Sequence, residues 1–340
     1  MKLKIKILFI AFCFLAFTKV NAQIDPSINM DLKKLPQMLE RNLIVVLLDE
    51  DAKEVAKLEK HLDKEPNGLK NYREEIKTFN DAIKSGMEKY WKLNSKIDYK
   101  NQSEIKDFMK GEEKAKSHDN MVLMLAYLKD HDSDVMTRSD FNIPSLYYTR
   151  AEESSRNPDY KVYIPNARVR KKIAYTETDI HVAIIELVDN IKYMQDNNKI
   201  FKYTDFVKAM AKENCGQMDG KTILIDKELL DYKPGEGNAK IKDKYKGDFK
   251  IVDHNEITAA FNEKRANTVI IMCVPYGIAK GSMGPLTSAM LISGKITVDC
   301  ATHQVLNENE LAGGVFAMTG KIMTLQILAR NVQGVSECAK

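Results

Sequence analysis

The chain has 340 residues, a formal charge of +4, 44% hydrophobic and 29% charged residues. This is the composition of a globular protein long enough for two ordinary domains, and it excludes a low-complexity chain. The segment before Gln23 holds Lys2, Lys4, Lys6 and Lys19 and no acid, so the remaining chain is near neutral. A neutral body with no Lys/Arg cluster interleaved with aromatics implies no nucleic-acid partner. The short run Arg168, Arg170, Lys171 and Lys172 reads as a solvated connection between elements.

Residues 1–22 read as a secretory signal peptide. Three lysines precede the apolar run Ile7 to Phe17, and Val20-Asn21-Ala22 offers small-residue cleavage before Gln23. The run falls short of the roughly 20 apolar residues of a membrane span. Cys13 follows Phe12, where a lipidation site wants a small residue. The expectation is a periplasmic or secreted protein that meets the membrane only through its signal before cleavage. Cys215, Cys273, Cys300 and Cys338 remain afterwards with no C-x-x-C spacing, which leaves a redox motif or zinc knuckle unsupported.

The rest reads as an internal repeat: a first α/β repeat over 23–195 with an added helix, and a second over 196–340. In the first, a helix over Asp31 to Leu39 leads into the strand Leu43 to Leu48. An amphipathic helix follows, with Tyr72, Ile76, Phe79, Ile83 and Tyr90 at helical spacing. The strand Ser95 to Lys100 then precedes a helix capped by Ser103, with Glu104 in its first turn. Strands Met121 to Leu125, Ser145 to Arg150 and Tyr160 to Ile164 come next. A closing helix carries Ile180, Ala183, Ile184, Leu187, Val188 and Ile191 on one face, with Thr176 and Asp179 as a capping box. The polar stretch Gln195 to Lys199 reads as a linker.

The second repeat follows the same order. A helix around Thr204 to Glu213 precedes the strand Lys221 to Ile225, and the turn-rich Tyr232 to Asn238 stands in place of the added helix. The strand Asp248 to Val252 leads to a helix capped by Asn255. Strands Val269 to Cys273, Ser288 to Ser293 and Lys295 to Cys300 follow, then a helix holding Phe316 to Leu328. The fold class is therefore α/β (α+β): two tandem copies of a small mixed-sheet domain with helices packed on the sheet.

Four pieces of the second half carry a family resemblance. They are Thr222 to Ile225; Phe249-Lys250-Ile251-Val252-Asp253-His254-Asn255-Glu256-Ile257; Thr268 to Val274; and Ile296 to Val305, with Thr297-Val298-Asp299-Cys300 ahead of His303-Gln304-Val305-Leu306. In this order they resemble the small α/β domain of the curli-assembly lipoprotein family and the N-terminal domain of the Tol–Pal translocation protein. The chain departs from those families in three places: His254 stands where arginine is usual, no glycine fills the turn before Gln304, and the lipid-bearing cysteine is absent. The resemblance covers about a third of the chain and contains no catalytic motif. It implies a cell-envelope binding or assembly role.

Catalytic and cofactor motifs fail on spacing, and no cofactor is implied. Gly314 to Lys321 is one residue too long for a phosphate loop, and Ile322 replaces the magnesium-binding hydroxyl. Gly235-Glu236-Gly237 lacks a third glycine; Gly277, Gly281 and Gly284 read as a loop. Asp130-His131-Asp132-Ser133-Asp134 starts like a calcium loop but has Val135 for the sixth-position glycine and Phe141 for the closing acid, so a solvated acidic loop accounts for it. Ser282 follows Lys280-Gly281, not the Gly-x of a nucleophile elbow. Cys273 and Cys300 sit in apolar strands as buried thiols. His254, flanked by Asp253 and Glu256 at a strand-to-helix turn, could serve acid–base chemistry or a contact surface. Tyr147, Tyr148, Tyr160 and Tyr163 lie on paired strands; with one alternate face buried, the others are expected to face solvent as contact residues for an envelope protein or glycan. The leading expectation is a non-enzymatic binding or assembly protein of the cell envelope. The alternatives are a hydrolase with its site between the two repeats, and a metal-binding envelope protein.

Overall fold

The structure is a computed structural model, and it describes residues 21–22, 33–64, 66–108, 119–129, 142–151, 158–165, 175–197, 209, 212–214, 216–230, 232, 235–283, 286–313, 327 and 332. In the first repeat these form α1 (Leu35–Glu40), β2 (Asn42–Leu47), α2 (Ala52–Lys60), α3 (Gly68–Tyr90), β3 (Ile97–Asn101), α4 (Gln102–Phe108), β4 (Asn120–Lys129), β5 (Asn142–Arg150), β6 (Tyr160–Tyr163) and α5 (Glu177–Asn197). The second has β7 (Thr222–Asp226), α6 (Glu236–Lys244), β8 (Phe249–Val252), α7 (His254–Asn262), β9 (Thr268–Met283), β10 (Leu286–Asp299) and β11 (Val305–Gly313). A two-residue strand β1 (Asn21–Ala22) pairs antiparallel with Ala279–Lys280 of β9.

The two sheets have the same order and the same directions. In the first, β3-β2-β4-β5-β6 has β2 parallel to β3 and β4, with β5 and β6 antiparallel. In the second, β8-β7-β9-β10-β11 repeats the pattern. Each parallel pair is joined through a helix, as a parallel connection requires. The chain is thus a mixed α/β protein of two similar five-stranded units, the second with β1 added to its sheet.

Several expected boundaries shift. Helix α5 continues through Asn197, so the first residues of the expected linker are helical. Helices α4 and α7 begin at Gln102 and His254, one residue before Ser103 and Asn255, so neither of those caps a helix. The carboxylate of Glu104 instead accepts from the Asn101 amide. Gly277 and Gly281 lie inside β9, and Gly294 lies inside β10 beside a register shift, so Ser288 to Asp299 belongs to one strand where two were expected. A glycine in a strand often marks such an irregularity rather than a turn. The second repeat has a short helix, α6, where only a turn was expected; Gly235 opens it at φ +87°, a conformation that favours glycine. The helix expected over Phe316 to Leu328 lies almost wholly outside the described residues.

Helix α5 is the axle of the molecule. One face carries Ile180, Ala183, Ile184, Leu187, Val188, Ile191 and Met194 into the first core, with Phe79, Ile83 and Met87 of α3. Val182 and Ile185 enter the second core, with Ile223, Ile225, Phe261 and Val269. A helix that is apolar on most sides has to be covered on most sides. The contact with α3 is close at Gly86, where a Cβ would lie 2.5 Å from Ile184 Cδ1 and 2.9 Å from His181 Cδ2.

Candidate functional site

The polar groups on α5 mark where the two repeats meet. Thr178, Asp179, His181, Glu186 and Asn190 are all buried. Among the described residues, Thr178 Oγ1, Asp179 Oδ1, His181 Nδ1 and Glu186 Oε2 have no protein hydrogen-bond partner. Buried polar atoms are usually paired, so their concentration on one helix needs a physical reason. The surroundings of α5 supply two polar sites, one at each end.

The first site is at the N-terminus of α5. The Thr176 amide and hydroxyl donate to Asp179 Oδ2 at 2.8 and 2.9 Å, and the Asp179 amide donates back to Thr176 Oγ1 at 3.3 Å. This is the expected capping box. Across the seam, His254 opens α7, and its Nδ1 lies 2.8 Å from Asp226 Oδ2 at the end of β7. Its Nε2 lies 3.4 Å from Thr176 Oγ1. The hydrogen bond to Asp226 raises the His254 pKa, with Asp179 adding to it. Burial pushes the Asp179 carboxyl up to about 6 against the pull of His254. Asp226 fixes the ring with its Nδ1 proton inward. An acid, a histidine and a hydroxyl therefore lie in line, but the hydroxyl already donates to Asp179.

The second site is a groove of about 440 Å³ at the other end of α5. Helix α3 contributes Lys89 and Tyr90; α5 contributes Ile185, Val188, Asp189, Lys192, Tyr193 and Asp196; Glu213, Asn214 and the β10–β11 turn from Thr302 to Val305 close it. Both repeats build its walls. Burial pushes the Asp189 carboxyl up to about 6, opposed by Lys192 and by a hydrogen bond from the Val305 amide. Behind it, burial raises Glu186 to about 8, and the Asp189 charge adds to the shift. Asn214 ties the turn down: its Nδ2 donates to Val305 O at 3.3 Å, and its Oδ1 accepts from Gln304 Nε2 at 3.2 Å.

His303 holds the turn where a glycine was missed in the sequence. It takes φ +61°, a conformation uncommon for a non-glycine residue. Its ring stacks on Phe261 with centroids 4.1 Å apart. The adjacent seam is lined by Tyr90, whose ring meets those of His181 and His303 edge-on. His181 Nε2 lies 2.8 Å from Ser85 Oγ, and burial lowers its pKa to about 4.

The expected tyrosine surface is corrected. Tyr148, Tyr160 and Tyr163 are 0%, 1% and 2% exposed, and Tyr147 is only half-buried. Alternation does place Tyr148 and Tyr160 on one face, but that face lies under α3 and α5. Their hydroxyls are met there: Tyr148 donates to Asn94 Oδ1 at 3.4 Å, and Asn190 donates to the Tyr160 hydroxyl at 2.6 Å. Tyr163 packs into the core of the second sheet. The sheet is covered where an exposed face was assumed. Of the five residues singled out in the sequence, His254 comes to the seam with Asp226, Thr176 and Asp179 around it. The groove residues Asp189, Tyr193 and Asn214 carried no motif, and His303 entered only through the resemblance, because their meeting depends on how the repeats pack.

Cys273 and Cys300 are buried thiols outside any disulfide, as expected. Burial pushes them up to about 11 and about 12, although Lys295, opposite Cys273 in the β9–β10 ladder, pulls the first down. Among the described residues, no group of three or more His, Cys, Asp or Glu side chains is placed to hold a metal ion. The Asp130 to Asp134 and Gly314 to Lys321 segments lie outside the described residues. Also among the described residues, no helix is long and apolar enough to cross a membrane. The chain matches no protein-family model, no curated protein and no solved structure.

Proposed function

We propose that this chain is an exported, non-enzymatic binding or assembly protein of the cell envelope, and that it recognises its ligand or partner in the groove between its two repeats. The observation that carries the reading is the groove itself: about 440 Å³, within the range of small-ligand sites, with aromatic, amide and carboxylate groups converging from both repeats. Its export rests on the charged and apolar N-terminal pattern ending at Ala22. An envelope role is supported by the resemblance of the second half to curli-assembly and Tol–Pal domains, which act by contact. Binding needs no nucleophile.

A second reading has one observation in its favour, the line Asp226–His254–Thr176. In a hydrolase, His254 Nε2 would take the Thr176 proton while Asp226 steadied the imidazolium. Two facts weigh against it. The hydroxyl donates to Asp179 at 2.9 Å, and it caps α5, so moving it would uncap the helix. The test compares wild type with His254→Ala on ester, peptide and glycan substrates. Binding without turnover supports the proposal; turnover abolished by the substitution, in a protein that stays folded, establishes the hydrolase.

A further inference from the structure

The groove also has a definite electrostatic character. Asp189, Asp196 and Glu213 share its lining with Lys89 and Lys192, an excess of one carboxylate, and Lys192 lies one α5 turn from both Asp189 and Asp196. Two helices also end there. Lys89 and Tyr90 close α3, and Tyr193 and Asp196 belong to the last turns of α5. A helix C-terminus presents unpaired carbonyls and the negative end of its dipole, which favours a cation. One α3 carbonyl already binds an ammonium: Lys92 Nζ donates to Glu88 O at 2.7 Å. The rings of Tyr90 and Tyr193 line the same space, and an aromatic face attracts a cation and packs well against a carbon chain.

We propose that the groove takes a ligand bearing a primary ammonium group on a short aliphatic chain, with the ammonium at Asp189, the exposed Asp196 and Glu213 on the rim, and the chain beside Tyr193. This assignment rests on the groove being the ligand site. Asp196 and Glu213 are exposed and steer the cation; Asp189, deeper in the wall, receives it. The chemistry is shared by a free alkyl diamine and by a lysine side chain in a peptide.

Asp189 also makes binding sensitive to pH. The groups around it are Glu186, Lys192, Tyr193 and Asp196 on α5, Lys89 and Tyr90 on α3, Glu213, and His303 on the β10–β11 turn. Its carboxyl is held up to about 6 by burial, and an ammonium beside it favours the ionised form. Binding therefore releases a proton below that pH. Affinity at pH 5 is expected to be about tenfold weaker than at pH 7.

The experiment is calorimetric titration of the full processed chain with 1,4-diaminobutane and with an end-blocked Gly-Lys-Gly peptide. The neutral and anionic counterparts are 1,4-butanediol and succinate. The expected result is binding of at least one amine probe and of neither counterpart. That binding should weaken at least tenfold in the Asp196→Asn/Glu213→Gln double variant, whose substitutions are at exposed positions and leave the melting temperature unchanged. The stronger of the two amine arms tells free diamine from side chain. No amine binding, or amine binding indifferent to the double variant, overturns the assignment. If butanediol or succinate binds and Tyr193→Ala removes that binding, the groove remains the ligand site and only the cation assignment falls. If Tyr193→Ala affects no probe, both fall.

Discussion

The hydroxyl of Tyr90, the last residue of α3, donates to Nδ1 of His303 at 3.1 Å, so a side chain of the first repeat completes a turn of the second. The other ring nitrogen donates to Phe261 O at 2.8 Å, which fixes the neutral tautomer. Burial lowers the His303 pKa, in keeping with an uncharged ring. These contacts offset a left-handed backbone that costs a non-glycine residue about 1–2 kcal/mol. Tyr90→Phe is expected to cost about 1 kcal/mol in urea unfolding, the worth of a typical hydrogen bond. His303→Gly removes the backbone strain together with the stack and both bonds, and should still be less stable than wild type.

Stability should fall as pH rises above neutrality, and Glu186 should account for much of the fall. The folded pKa values of Asp179, Asp189 and Glu186 are raised to about 6, about 6 and about 8. A raised group contributes stability that is complete below its unfolded pKa and is lost as pH passes the folded one. His181 has the opposite sign: lowered to about 4, its contribution is complete above about 6.5 and lost on acidification. Once the lowered histidines have finished titrating, the raised groups Glu186 and His254 set the direction of the slope among the described residues. Melting temperature measured from pH 6.5 to 8.5 should decline in wild type and be distinctly flatter in Glu186→Gln.

How far the fold could be read from the sequence follows from what each signal depends on. The repeat was legible because strand and helix periods are local: Leu43 to Leu47 and Thr222 to Ile225 announce themselves, and the Thr176–Asp179 box marks the start of α5. The length of β9 was not, because Gly277 and Gly281 look like loop residues until β10 pairs with them. The tyrosines were misplaced because alternation says which residues share a face, and only α3 and α5 decide that the face is covered. Of the seam, His254 was visible through its acidic neighbours. Asp226 and Thr176, from separate repeats, meet it only in three dimensions.

Gly86 should tolerate no side chain. The Cβ of Gly86→Ala would press on Ile184 Cδ1 at 2.5 Å and on the His181 ring at 2.9 Å. Overpacking of this kind costs about 1–3 kcal/mol. Denaturant unfolding should show that loss despite the better helix propensity of alanine.

Cys273 and Cys300 should resist thiol reagents in the native protein and react only after denaturation, since burial keeps both thiols protonated. Fast native labelling of either would show a reactive thiolate.

The account stands most directly on whether the groove between the repeats is the recognition surface. Gln304 is exposed on its rim, so Gln304→Trp would fill the groove at the cost of one hydrogen bond to Asn214. The decisive measurement is retention of solubilised envelope proteins and glycans on the immobilised protein, compared between wild type and Gln304→Trp at equal melting temperature. The account predicts a defined protein or glycan held by wild type and retained at least tenfold less by the variant. Equal retention by both would contradict it.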